Sequence, residues 1–391
     1  MSNAEELPSA KRAPRKVLIL SAEMGEGHNA AAAAITEAIE ELWPTWTVER
    51  YDAVEIRGKR FAAFARAAYA FEIHHAPWFY QAFYDALCSW SWFANPLKRV
   101  TSRFFAKRIA EVVRRSNPDL VLSTYPYGSA ALDWMRRHGF TTPTATFIPA
   151  FHAHPYWTYS GVDLHFVMYE TAARDAKTKG IESGLRVGAP MVRKAFAPQP
   201  RQAAREQLGL NPSTFTVLVT GGAWGLGSLA EAIAALVQLK TPITILAVCG
   251  HNDSLQRELI ALGAPPEKLR VIGFTHDMAR LMTASDAVIT NGAGVTVLEA
   301  LRSARPVIAF QPLPGHGRAA TKVMVSKGLA LRADDVQSLV QAIDDLATKP
   351  ELYQRLSAAG EAFNEGKSIE SDLRFLAQRL DEPRDLEKTA D

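Results

Sequence analysis

Cysteine is nearly absent from this 391-residue chain. Cys88 and Cys249 are the only two, they lie in unrelated segments, and neither has Cys-x-x-Cys or metal-ligand spacing. A disulfide framework is excluded on that count, and a reducing compartment is expected. No apolar run reaches the roughly 20 residues needed to span a bilayer, and the start, Met1 to Lys16, lacks the apolar core of a signal peptide. The expected location is cytoplasmic, with any membrane contact peripheral, on the inner face of the cell membrane. No Asp-x-Asp, no His/Asp/Glu cluster at metal-ligand spacing and no Gly-x-Ser-x-Gly nucleophile elbow occurs. Neither a metal nor a cofactor is therefore expected. An excess of one charge is missing too: 44 Lys and Arg face 41 Asp and Glu, and the net +3 is spread along the chain. That argues against a nucleic-acid partner and is compatible with an anionic membrane surface.

What is present is the composition of a folded protein, 48% hydrophobic and 22% charged, at a length suited to two α/β domains. The apolar run Lys16–Ser21 predicts a buried parallel strand, followed by a glycine loop and an alanine-rich helix from Asn29 to Leu42. Further strands are expected at Trp46–Tyr51, Asp119–Thr124, Thr144–Ile148 and Leu164–Met168. After the proline-punctuated linker Gly188–Pro200 the rhythm restarts, with strands at Phe215–Thr220, Ile243–Cys249, Leu269–Ile272, Ala287–Thr290 and Pro306–Phe310. This predicts a flexible tail over 1–15, a first Rossmann-like domain over 16–195 with a helical insertion over 57–108, and a second domain over 196–365. A C-terminal helix and tail follow over 366–391. Two such α/β domains in tandem put the carboxyl ends of both sheets at one shared cleft, where ligands of open sheets bind.

Three strand–helix junctions can carry chemistry. Gly25-Glu-Gly27-His28 brings backbone close to a ligand, offers a helix N-terminus, and adds an imidazole suited to general-base work; a capped tight turn explains it equally well. Gly221-Gly222 opens a loop running to Gly227, without a Walker lysine and without Gly-x-Gly-x-x-Gly spacing. It fits phosphate or sugar contact, or simple turn geometry. Thr290 to Glu299 passes through Gly294 into a helix, where amides and the Thr296 hydroxyl can cradle a diphosphate and Glu299 can accept ribose hydroxyls. A dipole-favoured first-turn acid is the simpler account of Glu299. Separately, Phe61–Phe105 holds 14 of the chain's 36 aromatic residues, flanked by Arg57, Lys59, Arg60, Arg66, Lys98, Arg99 and Arg103. A membrane interface, an amphiphilic acceptor site and an aromatic core all suit that pattern.

Together these segments resemble the monogalactosyldiacylglycerol synthase and processive diacylglycerol glucosyltransferase family, related to the N-acetylglucosaminyltransferase of the lipid-linked peptidoglycan precursor. The likeness runs from about Val17 to Leu331. It rests on Ser21–His28, His154-Pro-Tyr-Trp157, Gly161-Val-Asp163, Gly188-Ala-Pro190, Gly221-Gly222, Cys249–Asn252, Gly273-Phe274, Met278–Met282, Ser285-Asp286 and Thr290–Glu299.

The resemblance implies the GT-B fold, two Rossmann-like domains facing a cleft. It implies inverting, metal-independent transfer from a nucleotide-sugar donor, UDP-linked, to a lipid or amphiphilic hydroxyl acceptor. On it, His28 is the catalytic residue, and Gly25, Gly27, His152, His154 and Trp157 lie on the acceptor side. Gly221, Gly222, Gly273, Phe274, Gly294, Thr296, Glu299 and Arg318 bind the donor. Three positions depart from the family. Ala150 stands where it carries an aspartate, and Asn291 replaces the lysine of its Thr-Lys-Ala-Gly element. Its Pro-Gly-Gln-Glu-x-x-Asn reads Pro314-Gly-His-Gly-Arg-Ala-Ala320, which leaves Arg318 as a partner for a diphosphate or an acidic sugar. A soluble acceptor, a non-catalytic nucleotide-sugar binder and a nucleotide-sugar epimerase are the alternatives.

Overall fold

The computed structural model describes residues 15–292 and 294–381; the tail expected over 1–15 lies, but for its last residue, outside the described residues, as does 382–391. The first half builds a six-stranded sheet from β1 (Lys16–Ser21), β2 (Thr47–Asp52), β3 (Leu120–Ser123), β4 (Thr144–Ile148), β5 (Leu164–Val167) and β6 (Leu185–Val187). All neighbours are parallel, in the order β2-β1-β3-β4-β5-β6. The second half repeats the plan with β7 (Phe215–Thr220), β8 (Ile243–Val248), β9 (Leu269–Ile272), β10 (Ala287–Thr290), β11 (Val307–Phe310) and β12 (Leu331–Ala333). Its order is β12-β11-β10-β7-β8-β9, again wholly parallel.

Parallel strands need crossovers, and helices covering both faces make central strands such as β1, β3 and β8 buried almost throughout. In β1, Val17 and Ile19 enter the core on one face while Leu18 and Leu20 enter a second core on the other, and all four are fully buried. Ten of the twelve strands sit where apolar runs predict them. The two that do not, β6 and β12, are three-residue edge strands in which an arginine interrupts the apolar pattern.

The helices of the first half are α1 (Gly27–Leu42), α2 (Lys59–His75), α3 (Pro77–Ser89), α4 (Ser91–Ser116), α5 (Pro126–Arg137) and α6 (Glu170–Thr178). Those of the second are α7 (Arg201–Gln207), α8 (Leu229–Val237), α9 (Asp253–Ala261), α10 (Met278–Ala284), α11 (Val295–Arg302), α12 (His316–Ser326), α13 (Val336–Thr348) and α14 (Pro350–Asn364). A last helix, α15 (Ile369–Asp381), returns to the first half and packs on α1. There Asp372 accepts from Arg186 Nε at 2.9 Å and from the buried Ala189 amide at 2.7 Å, while Phe375 meets Phe166. The aromatic segment forms α2 to α4, and no helix among the described residues is long and apolar enough to cross a membrane.

Asp286, buried just before β10, ties α7 to the second sheet. It accepts from the Thr216 amide at 2.7 Å and pairs with Arg201 and the buried Arg205. Removing a carboxylate that neutralises a buried guanidinium leaves that charge unpaired. Asp286→Ala is expected to cost roughly 3–5 kcal/mol of stability, read from denaturant unfolding; a loss below about 1 kcal/mol would show that the cluster is not structural.

Candidate functional site

The two sheets present their carboxyl ends to one cavity of about 600 Å³. The N-termini of α1, α5, α11 and α12 converge on it, contributing among others Gly27, His28, Tyr127, Val295, Thr296 and His316. None of these four helices has a side-chain cap, so first-turn amides and the positive dipole ends are left for a ligand. The halves meet closely here: a Cβ added to Gly27 would lie 3.8 Å from the Val295 amide nitrogen.

On the second side, two neighbouring strands end in the same device. Thr220 and Thr290 are register partners in β7 and β10, and the hydroxyl of each accepts the amide of the residue two further on, Gly222 or Gly292, at 3.2 Å. This breaks both strands at one level and exposes the glycine loops. Asn291 links them by donating from Nδ2 to the Leu226 carbonyl, while its buried Oδ1 has no hydrogen-bond partner.

The first side is a wall of rings. His28 packs against Tyr125 and Trp157, Trp157 against His154, His154 against Tyr84, and Tyr84 against His152, with centroids 4.8–6.3 Å apart. His28 Nδ1 lies 2.7 Å from the Thr124 carbonyl, so that nitrogen carries the proton and Nε2 keeps its lone pair. Burial lowers the imidazole to about 4; the Thr124 bond opposes this, and His316 adds to it. His28 is therefore neutral near pH 7. His154 is held well below its usual range by burial and by neighbouring His316 and His152, and its Nδ1 accepts the Tyr156 amide at 3.2 Å.

Ten of the fourteen residues singled out from sequence line this cavity: Gly25, Gly27, His28, His152, His154, Trp157, Gly221, Gly222, Gly294 and Thr296. The other four lie outside its lining. Phe274 follows Gly273 after β9, 42% exposed, and stacks on His251 at 4.1 Å. Arg318 is exposed on α12, and Glu299 is buried one turn into α11. Among the described residues no group of three His, Cys, Asp or Glu can hold a metal ion.

Three contributors were not legible in sequence. Trp224, in the glycine loop after β7, meets Tyr69 of α2 edge to face at 6.0 Å. Gln81 of α3 accepts the Gly315 amide at 2.8 Å. Gly315 has φ 68° and ψ −117°, and a Cβ there would come 2.7 Å from Tyr80 Cε1, so only glycine fits. The helical insertion of the first half thus holds loops of the second. No local pattern announces a contact between residues 234 positions apart.

Residues 28–185 match the family model described as monogalactosyldiacylglycerol (MGDG) synthase, and residues 201–363 match glycosyl transferases group 1. The resemblance read from the motifs thus holds for both halves. A processive diacylglycerol beta-glucosyltransferase of Bacillus licheniformis is 24% identical over 346 residues, covering 85% of this chain and 86% of that protein. Among solved structures, a putative UDP-N-acetylglucosamine 2-epimerase from Listeria monocytogenes aligns with TM-score 0.63 at 14% identity, covering 95% of this chain and 98% of the other. Acinetobacter baumannii MurG aligns with TM-score 0.57 at 17% identity, covering 93% and 100%. Those two likenesses are of fold, and the fold is GT-B.

Burial raises the Glu299 carboxyl to about 8 against the opposing pull of Arg193, whereas an unfolded glutamate ionises near 4.5. The folded protein thus keeps a proton that the unfolded chain releases. Stability drawn from neutral Glu299 is complete below pH 4.5 and lost as pH rises through about 8. Glu299→Gln should be stabilised at pH 8 by an amount on the order of a few kcal/mol and hardly at pH 4. Equal melting shifts at both pH values would contradict the burial argument.

Proposed function

We propose that this chain, with a monogalactosyldiacylglycerol synthase domain in its first half and a group 1 glycosyl transferase domain in its second, is a hexosyltransferase that moves a sugar from a UDP-sugar to the hydroxyl of a diacylglycerol-type lipid, with inversion. The observation that carries this reading is the meeting of Gly27 and Val295, which puts a histidine-bearing helix start opposite an amide-bearing one across a single cavity. The nucleotide lies on the second side, its diphosphate at the α11 start with Thr296 and the Gly222 and Gly292 turns. Glu299, Gly273 and Phe274 bracket the nucleoside, and Arg318 answers a diphosphate or an acidic sugar once the halves close. The acceptor enters on the first side, along His152, His154 and Trp157.

In the reaction the free Nε2 of His28 takes the proton of the attacking hydroxyl, and the O–H electron pair forms the new bond to the anomeric carbon. The bond from that carbon to the diphosphate breaks with its electron pair on the departing UDP. Helix-start amides are already aimed at that charge, so little reorganisation is needed as it develops.

The lipid reading is supported by α2 to α4. Trp78, Trp92 and Phe64 are 73%, 71% and 70% exposed, and the helices of Phe64 and Trp92 also carry basic residues. Burying rings of this size at a bilayer interface while cations meet anionic headgroups is the chemistry of a peripheral membrane protein. The cavity extends from the ring wall toward this insertion through Tyr80, Phe83 and Leu87.

Incubation with a panel of UDP-sugars and diacylglycerol in vesicles tests the reading directly; no transfer and no nucleotide binding would end it. His28→Ala is expected to lower turnover by roughly two to four orders of magnitude with donor affinity little changed, and near-wild-type turnover would remove His28 from catalysis. Flotation with anionic vesicles should recover the wild-type protein, with recovery reduced for Trp78→Ala/Trp92→Ala. Failure of the wild type to float would favour a soluble acceptor.

A further inference from the structure

One face of α2 turns into the cavity, through Ala65, Ala68, Tyr69 and Glu72. These follow the i, i+3, i+4, i+7 spacing of a helix face, apolar or aromatic except at Glu72. Among the described residues that line the cavity, Glu72 is the only acid, and none is a lysine or an arginine. A second carboxylate close to the wall, Asp175 on α6, is already engaged, with its Oδ2 2.5 Å from Nδ1 of His152. Glu72 has no such engagement: among the described residues its carboxylate has neither a hydrogen bond nor an ion pair.

Three tyrosines mark its place along the cavity. Burial raises the hydroxyls of Tyr69, Tyr80 and Tyr127 above their ordinary range, and the Glu72 charge adds to each rise, so all three stand in its field. Tyr127 is one ring removed from His28, since Tyr125 packs on both, at 5.1 and 4.8 Å. A lipid with its hydroxyl at His28 and its chains leaving past Tyr80, Phe83 and Leu87 therefore carries its headgroup linkage through the field of Glu72. In diacylglycerol that linkage is a neutral ester. In phosphatidylglycerol, which also ends in a primary hydroxyl, it is a phosphodiester anion.

The outer surface of the insertion has the opposite sign. Lys59, Arg60, Arg99 and Arg103 are exposed on α2 and α4. A surface suited to anionic headgroups thus leads into a pocket whose lining carries an acid and no cationic side chain of lysine or arginine.

We propose that Glu72 is a specificity-determining residue of the acceptor site, an electrostatic filter that admits neutral hydroxyl-bearing lipids and turns away those whose headgroup linkage is an anionic phosphodiester. The inference rests on the transferase reading above. A phosphodiester brought beside a carboxylate between low-dielectric walls meets strong repulsion, whereas a neutral ester meets none. Membrane attraction and acceptor choice are thereby separated: cations outside hold the anionic bilayer, and one anion inside keeps its phospholipids from becoming substrates.

Glu72→Gln and Glu72→Ala in the full chain test the filter, the first removing charge alone and the second charge with volume, with thermal melting as the folding control. Vesicles of phosphatidylcholine and phosphatidylserine, whose headgroups offer no free hydroxyl, carry either diacylglycerol or phosphatidylglycerol as the acceptor. The wild type should use diacylglycerol and hardly use phosphatidylglycerol. In both variants the kcat/KM for phosphatidylglycerol relative to that for diacylglycerol should rise about tenfold or more. A relative value within about twofold of wild type in both variants overturns the proposal, as does a wild type that uses the two lipids equally well. Calorimetric binding of short-chain phosphatidylglycerol and short-chain diacylglycerol reads the filter without any sugar transfer, and the variants should gain about tenfold in affinity for the former only. If no lipid is glycosylated yet the variants show that gain, the filter stands and the acceptor reading falls. An affinity for phosphatidylglycerol that neither variant changes overturns the filter even then.

Discussion

The close approach of two helix starts, one from each half of the chain, is the constraint on which the rest of this molecule depends. It brings the α1 start, after the Gly25 turn with φ 87°, to within ordinary contact distance of Val295 at the α11 start. It also requires that the halves be tied together at a distance from the cleft. The return of α15 to the first half, with Asp372 gripping Arg186 and the Ala189 amide at the linker, supplies such a tie. Lys194, in the linker, pairs with Glu41 of α1 and Glu370 of α15 and extends it.

A second consequence of the geometry is that the helical insertion belongs to both halves. It grows out of the first domain, yet Gln81, Tyr80 and Tyr69 contact Gly315 and Trp224 of the second. The surface that carries exposed tryptophans is thereby connected, within a few side chains, to the glycine loops of the second half.

The electrostatics of the cleft follow from what it excludes. Four histidines sit among tyrosines and glycines, and burial holds His28, His154 and His316 in their neutral forms. An amide-rich pocket at converging helix N-termini favours the negative charge of a diphosphate, and the carboxylate among its lining residues, Glu72, belongs to α2 of the helical insertion. The carboxylate of Asp175 reaches this environment only through His152.

Strand positions and the order of the glycine turns were legible in the chain itself, because buried parallel strands must be apolar on both faces and strand-to-helix turns must use glycine where backbone closes on a ligand. The same reasoning found His28 and Thr296 at the glycine turns, whereas Trp157 and the histidines beside it were indicated by the family resemblance. It did not find the three-residue edge strands, whose patterns are too short to carry a period. Nor did it find Asp175, Gln81 or Trp224, whose roles arise only when distant segments meet. Local sequence determined which segments are strands, helices and turns, since each is governed by neighbours a few residues away. The tertiary structure alone decided which imidazole gained a carboxylate and which helix held the opposite loop, since those choices depend on packing between segments that share no local signal.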